Sequence, residues 1–152
     1  MNALRDFVAE SNRIEGITRQ PTPAECAATE TFITRDALVI GDVVELVSVY
    51  QPDALLRDEP HLNVRVGNHI APQGGTAIVG ELAVILRGAH HDAADPWDIH
   101  CAYETLHPFT DGNGRSGRAL WAWMMRRKYG PDALALGFLH RFYYQTLEHY
   151  RP

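Results

Sequence analysis

Apolar residues recur at helical spacing along most of the chain. In the first such segment, "ALRDFVAESNRIEGI", the residues Leu4, Phe7, Val8 and Ile14 fall close to one helical face. Gly16 follows them and is a suitable helix stop, because glycine adopts the left-handed conformation that commonly ends a helix. The sequence therefore predicts an amphipathic N-terminal helix.

Residues typical of helix ends divide the rest of the chain into further helices. In "TPAECAATETFI", Thr22 is a suitable N-cap, Pro23 occupies the first helical position, and Glu25 completes a capping box. A third helix is predicted to start after Thr34 and to end at the break before Pro52. Later helices are predicted over 78–89, from Pro96 (capped by Asp95) into His107, from about Arg115 through "RALWAWMMRRKY", and from Pro131 to about Tyr150.

One segment, 62–75 ("LNVRVGNHIAPQGG"), has a different pattern. Val64 and Val66 alternate with polar residues, a Gly-Asn pair supplies a tight-turn signal, and Pro72 ends the pattern. We interpret this segment as a small β-hairpin. No internal repeat, low-complexity tract or linker is visible, so we expect an all-α bundle with this hairpin, forming a single domain over 1–152.

Charge and composition exclude several classes of protein. The 152 residues carry a formal net charge of −5, which argues against a general nucleic-acid binder. No stretch approaches the roughly 20 apolar residues of a membrane span, so no membrane partner is expected. Cys26 and Cys101 have no metal-binding or redox spacing and are interpreted as reduced thiols. A cytoplasmic location is predicted.

The segment "HPFTDGNGRSGR", 107–118, carries the candidate chemistry. An EF-hand reading puts Phe109 and Leu120 at the first and last ligand positions, where oxygen ligands are required, so a calcium loop is excluded. The spacing matches neither a Walker A loop nor a zinc motif. A purely structural helix–turn–helix remains an alternative, although it explains the glycines and not the charges between them.

An anion site explains the segment better. Gly112 and Gly114 allow successive backbone N–H groups to face one concavity at the start of the next helix, where the helix dipole is positive. Arg115 and Arg118 lie three residues apart in its first turns. Because cations are unfavourable at a helix N-terminus, their presence indicates an external polyanion that offsets the repulsion.

Two further residues of the segment suit a nucleotide. A carboxylate such as Asp111 fits a positive pocket if it holds Mg²⁺, an ion that usually binds phosphates together with one or two carboxylates. His107, at the end of the preceding helix, has an ordinary pKa suited to accepting a proton near neutral pH. The segment therefore predicts phosphate binding beside a general base.

The same twelve residues resemble the Fic-domain signature, HxFx[DE]GNGRxxR, at every defined position, and the resemblance extends over a helical core from 76 to about 151. Fic proteins are mainly AMP transferases, which move AMP from ATP to a Ser, Thr or Tyr hydroxyl of a target protein. The resemblance implies that His107 is the base, that Asp111 binds Mg²⁺ and that Phe109 anchors the loop. It assigns phosphate contacts to Gly112, Asn113, Gly114, Arg115 and Arg118.

Two more parts of the chain gain expectations from this resemblance. "SNRIEG" (11–16) is similar to the family's inhibitory-helix pattern [ST]xxxE[GN], which implies that Ser11 and Glu15 lie on one helical face and that Glu15 pairs with Arg118. The hairpin, 62–75, corresponds to a "flap" that binds the main chain of the target as an added strand. Tyr144 is a candidate for the border of the adenine pocket.

The resemblance leaves three activities to compare. A regulated AMP transferase is favoured because every reactive position is present. A related activity on the same site is the first alternative, either removal of AMP by a bifunctional enzyme or Doc-type phosphoryl transfer, which is disfavoured because Doc-like proteins typically carry GNK where this chain has Asn113-Gly114-Arg115. The third is a non-catalytic nucleotide-binding module, which would be expected to have lost His107 or Asp111.

Overall fold

The computed structural model of this chain describes residues 2–136 and is mainly helical. No helix among these residues is long and apolar enough to cross a membrane. The prediction of a helical body with one small hairpin is confirmed. The elements in chain order are α1 (Ala3–Ile14), α2 (Pro23–Ile33), α3 (Ile40–Tyr50), β1 (Arg65–Val66), β2 (His69–Ile70), α4 (Thr76–Ala89), α5 (Pro96–Leu106), α6 (Asn113–Tyr129) and a 3₁₀ helix (Pro131–Leu136).

The predicted helix caps are present at two helix starts. The Thr22 side chain accepts the Glu25 N–H, and the Glu25 carboxylate accepts the Thr22 N–H in return, which completes the capping box of α2. The Asp95 carboxylate accepts the N–H groups of Trp97 and Asp98 at the start of α5. In both cases the cap satisfies backbone donors that have no partner inside the helix.

The predicted start of α3 is wrong by several residues. Thr34 is the C-cap of α2, and α3 begins only at Ile40, where the Asp42 carboxylate accepts the Val39 N–H at 2.8 Å. The intervening backbone is held from outside the helix, because the Leu38 N–H donates to His90 Nε2 at the end of α4. Of the helix predicted from Pro131 to about Tyr150, only the 3₁₀ turn lies within the described residues.

Helix α6 forms the centre of the core. Its buried side chains Leu120, Ala122 and Trp123 face a cluster that also contains apolar residues of α1, α2, α3, α4 and α5. On one side the Trp121 ring stacks on Phe7 of α1, with ring centroids 6.4 Å apart. The first turns of α6, which carry the candidate site, are therefore fixed by packing along the rest of the same helix.

The hairpin is short and lies beside α5. Its register pairs Arg65 with Ile70 and Val66 with His69, and Gly67 (φ +59°) begins the turn. Glycine suits this first turn position because it requires a positive φ in a two-residue hairpin of the II′ type. The His69 ring nitrogen Nε2 lies 2.8 Å from the Thr105 carbonyl oxygen of α5.

Candidate active site

The motif spans the connection between α5 and α6. His107 is the C-cap of α5 and adopts the left-handed conformation (φ 53°, ψ 63°), and Gly112 (φ 79°) directly precedes α6. The connection is paired with the chain that follows α3: Leu56 forms a β-bridge with Phe109, and the Thr110 N–H donates to the Leu55 carbonyl. Two helix ends and one antiparallel bridge therefore define the shape of the loop.

His107 is partly exposed and has a defined ring contact. Its Nδ1 lies 3.3 Å from the Glu104 carbonyl oxygen, one turn earlier in α5. A carbonyl oxygen only accepts, so this contact favours the tautomer with the proton on Nδ1. In that tautomer Nε2 is the basic nitrogen.

Phe109 and Asn113 hold the bend. The Phe109 side chain is 1% exposed and belongs to the main core. The Asn113 side chain accepts the Phe109 N–H and donates to the Phe109 carbonyl, both at 2.8 Å. Both polar atoms of this amide therefore bind the backbone of the loop, so in this structure the Asn113 side chain stabilises the bend.

The bend opens onto the N-terminus of α6. The Asp111 side chain is exposed, and its Oδ1 accepts the Gly112 N–H at 2.7 Å. A Cβ atom built on Gly112 would lie 3.3 Å from Val47 Cγ1, so space as well as the left-handed backbone favours glycine there. The first N–H groups of a helix are unpaired within it and carry partial positive charge, so this end of α6 can bind an anion.

Arg115 turns toward α3. Its side chain is almost fully buried, with Nη2 3.1 Å from Gln51 Oε1 and Nη1 3.5 Å from the Tyr50 carbonyl oxygen. The guanidinium also lies over the Tyr50 ring, 5.3 Å from its centroid. Arg115 therefore connects the start of α6 with the end of α3.

Arg118 turns in a different direction, toward α1. It is 0% exposed, and its Nε donates to Ser11 Oγ at 2.7 Å while Nη2 donates to the Ser11 carbonyl at 2.9 Å. Nη2 also forms an ion pair with Glu15 Oε1 at 2.7 Å. Ser11 and Glu15, separated from Arg118 by more than a hundred residues in sequence, thus meet on its guanidinium.

The Glu15 carboxylate also lies directly over Gly114. A Cβ atom built on Gly114 would overlap Glu15 Oε1 and would lie 3.0 Å from Arg118 Nη1. The Glu15 side chain keeps 27% of its surface exposed, so this carboxylate lies at the mouth of the site and not deep within it. A carboxylate thus lies beside the N-terminus of α6, a position where the helix dipole also favours a phosphate.

Close packing between α5 and α6 leaves no space for a side chain at Gly117. A Cβ atom there would overlap Glu104 Oε1 and lie 2.9 Å from Tyr103 Cδ1. The Tyr103 hydroxyl lies 2.6 Å from Ser116 Oγ, and burial raises the pKa of this tyrosine. Gly117 therefore lets the helix that carries His107 approach the helix that carries Arg118.

Sequence reasoning missed Arg57 and underrated Glu25. Arg57 lies in "LLRDEP", whose charges are typical of an exposed loop, yet its side chain is fully buried beside His107. Glu25 was identified as a capping residue, but its Oε2 also accepts from Asn12 of α1. No pattern in the sequence marks either contact. The Tyr144 prediction falls outside the described residues.

Comparison with known proteins agrees with this geometry. The profile of the Fic/DOC family matches residues 38–125, which include α3, the hairpin, α4, α5 and most of α6. A comparison with curated proteins finds no match. The matched segment is more than half of the chain and contains the whole of the "HPFTDGNGRSGR" motif, and on this basis the chain belongs to the Fic/DOC family.

Proposed function

We propose that this protein transfers AMP from ATP to a hydroxyl group of a target protein, and that α1 inhibits the transfer. Its family is known for transferase activity, and the motif retains a residue suited to each step. The observation that carries the proposal is the position of the Glu15 carboxylate. It binds Arg118 at 2.7 Å and lies against Gly114 in the first turn of α6, the helix that follows the bend after His107.

In the proposed reaction, the target hydroxyl oxygen attacks the α-phosphorus of ATP. His107 Nε2 accepts the hydroxyl proton, the new P–O bond forms, and the bond from the α-phosphorus to the pyrophosphate oxygen breaks. The backbone N–H groups at the start of α6 and the two arginines offset the charge of the phosphates. Asn113 contributes by holding the bend through its two hydrogen bonds to Phe109.

Asp111 is the residue proposed to hold Mg²⁺. Its carboxylate is exposed at the mouth of the bend, and the described residues contain no group of three or more His, Cys, Asp or Glu side chains arranged for a metal. A single carboxylate fits Mg²⁺, which usually binds one or two carboxylates and completes its shell with phosphate oxygens and water. When bound, Mg²⁺ neutralises part of the phosphate charge.

The proposed inhibition is electrostatic. Arg118 is buried, and in this conformation its guanidinium contacts Ser11 and Glu15. To bind a γ-phosphate, the guanidinium must leave these partners. ATP that enters beside Glu15 would carry a misplaced α-phosphate, and small errors in the geometry of attack strongly reduce a rate. Removing Glu15 is therefore expected to activate the enzyme.

The flap is proposed to dock the target. Strands β1 and β2 lie next to α5, whose C-terminus carries His107, and Ile70 on β2 is 71% exposed. An extended target segment that pairs with this hairpin would gain main-chain hydrogen bonds and an apolar contact. The proposed partners are thus ATP and a protein presenting a Ser, Thr or Tyr hydroxyl.

The test uses nucleotide labelled at the α- or the γ-phosphate, with Mg²⁺. Wild type should transfer little label, Glu15→Gly should transfer α-label to itself or to added protein at least about tenfold faster, and His107→Ala in the Glu15→Gly background should transfer none. Asp6→Asn is a matched control, because Asp6 is an exposed carboxylate on the same helix. It should behave as wild type.

Each alternative activity gives a different result. Transfer of γ-label would show phosphoryl transfer, and absence of label from both positions would favour a nucleotide-binding module. Loss of label from pre-modified protein in wild type, but not in Glu15→Gly, would indicate a bifunctional enzyme in which Glu15 assists AMP removal. Equal transfer by wild type and Glu15→Gly would contradict the inhibitory role.

A further inference from the structure

Arg57 is a buried cation with an unusual set of partners. Its side chain is 0% exposed, and burial lowers the pKa of its guanidinium, although an arginine remains charged under physiological conditions. Within the described part of the chain, no carboxylate lies within 4.0 Å of it, and its side-chain N–H groups donate to backbone carbonyl oxygens. A buried charge without a counterion is costly, so the carbonyl groups must supply the compensation.

One set of partners is the end of the helix that carries the proposed base. Nη2 donates to the Leu106 carbonyl at 2.8 Å, Nε donates to the His107 carbonyl at 2.6 Å, and the backbone N–H donates to the Pro108 carbonyl at 2.9 Å. Three consecutive carbonyls therefore bind one residue. A cation at a helix C-terminus is favoured by the helix dipole, and these carbonyls lack partners within α5.

This contact explains how His107 keeps its backbone conformation. His107 is the only non-glycine residue with positive φ among the residues described here. The left-handed region costs about 1–3 kcal/mol for such a residue and persists only where surrounding contacts impose it. The hydrogen bond from Arg57 Nε to the His107 carbonyl orients that peptide group directly.

The second set of partners lies at the two ends of the flap. Nη1 donates to the Leu62 carbonyl at 3.0 Å and to the Pro72 carbonyl at 2.8 Å, and the Gly75 N–H donates to the Arg57 carbonyl at 2.9 Å. The segments that precede and follow the hairpin therefore bind the same guanidinium. This planar group joins the flap to the turn at His107, which lies 50 residues after Arg57 in sequence.

We propose that Arg57 is a positioning residue that couples the flap to His107, so that the docked target segment and the imidazole keep one relative geometry. This inference rests on the proposed transfer reaction for its effect on rate, but the coupling itself is a property of the fold. Displacing one set of carbonyls should loosen the other set. ATP binding should be unaffected, because Arg57 contacts neither the start of α6 nor Arg118.

Two variants test the coupling from opposite sides, both in the Glu15→Gly background. Arg57→Lys keeps the charge but replaces the planar fork with a point donor that cannot reach both sets of carbonyls. Gly74→Ala leaves Arg57 intact but adds a Cβ that would overlap the Glu59 carbonyl and lie 2.5 Å from the Leu62 carbonyl oxygen, so the flap end must move. Gly74→Ala also serves if Arg57→Lys fails to fold.

Trp123→Phe is the control for general destabilisation. Trp123 is buried in the second half of α6, and its indole N–H donates to the Arg35 carbonyl at 2.9 Å, which is not among the contacts of Arg57. The measurements are hydrogen exchange of peptides covering 62–75 and 106–110, and kcat and KM for ATP per folded protein. Each variant is compared with Glu15→Gly alone.

We expect both test variants to accelerate exchange in both peptides and to lower kcat by about 100-fold, with the KM for ATP unchanged. Trp123→Phe should lower stability without these effects. Faster exchange of 62–75 alone in Gly74→Ala, or an unchanged kcat in Arg57→Lys, would overturn the inference. If Glu15→Gly transfers no AMP, the proposed function fails separately. Hydrogen exchange then tests the coupling by itself. Faster exchange in both 62–75 and 106–110 supports the coupling, and faster exchange in only one of these peptides contradicts it.

Discussion

At the scale of single residues, two residues of the site are in positions that their residue types disfavour. His107 occupies a left-handed helix end where glycine is usual, and Arg118 is a buried cation near a helix N-terminus, which the dipole disfavours. Each conflict is resolved by a neighbour from elsewhere in the chain: Arg57 for His107, and Glu15 for Arg118. Such residues are typical of functional sites, where local strain is tolerated for the geometry it produces.

Glu25 gives a prediction about pH at this scale. Burial alone would raise the pKa of its carboxyl, but the hydrogen bonds from Arg19 and Thr22 outweigh burial and lower the pKa from 4.5 to about 2. A group whose pKa is lower in the folded state stabilises the fold above its unfolded pKa and loses that contribution as the pH falls through the folded value. Stability from Glu25 should therefore disappear between pH 4.5 and about pH 2.

Glu25→Gln should remove most of this pH dependence. Wild type is expected to lose on the order of 3 kcal/mol of unfolding free energy through Glu25 across this interval, measured by urea denaturation at several pH values. Glu30→Gln, which alters an exposed carboxylate on the same helix, should retain the wild-type slope. Identical slopes for Glu25→Gln and wild type would contradict the assignment.

At the scale of elements, α1 is important as a docked helix and not only as the carrier of Glu15. Phe7 stacks on Trp121, Val8 is buried, and Asn12 donates to Glu25 of α2. These contacts orient the face of α1 that carries Ser11 and Glu15 toward Arg118. If the proposed inhibition depends on this docking, weakening the apolar contacts should raise the rate of the proposed transfer with Glu15 still present.

Phe7→Ala tests this dependence. Loss of a buried phenylalanine side chain costs about 3–5 kcal/mol, which is about a hundredfold or more in a docking equilibrium. We expect initial rates of AMP transfer to rise toward those of Glu15→Gly, with faster hydrogen exchange in 3–14. Phe7→Leu should retain most inhibition.

A double variant separates release of α1 from general damage. If Phe7→Ala acts by undocking α1, it should add no further activation in the Glu15→Gly background, because Glu15 is then already absent. A rate that stays at the wild-type level while α1 exchanges rapidly would contradict the dependence of the proposed inhibition on a docked helix.

At the scale of the whole molecule, α6 links the core to the site. Ala122 is fully buried in the middle of this helix and belongs to the main apolar core. Because protein interiors are close-packed, added volume here must displace those helices. The stability of the fold therefore depends on packing in the middle of α6, away from the site.

Ala122→Leu should lower the free energy of unfolding by about 1–3 kcal/mol, as expected for an overpacked core. Ala77→Leu is the matched control, since Ala77 is exposed on α4 and the same substitution there should change stability little. Urea denaturation measures both. A stable Ala122→Leu protein would show that the core around α6 adapts more readily than its burial indicates.

Local patterns in the sequence determined most of the elements of this protein. The capping box at Thr22, the Asp95-Pro96 start of α5 and the Gly-Asn turn of the hairpin act over a few residues, so they are readable without a fold. The start of α3 was misjudged because its upstream backbone is held by Asp42 and by His90, and the His90 contact is more than fifty residues away. The twelve-residue motif likewise indicated an anion site and a base from its own composition.

Only the tertiary structure decided which distant residues meet at this site. No sequence pattern marked Arg57, the contact between Glu25 and Asn12, or the direction of Arg115 toward Gln51. The pairing of Arg118 with Glu15 was expected only from the resemblance to the family. Their roles depend on long-range packing, which brings carbonyls and carboxylates together from segments far apart in sequence. Periodicity and capping describe interactions within a few turns of a helix. The compensation of a buried charge depends instead on polar groups from segments distant in sequence.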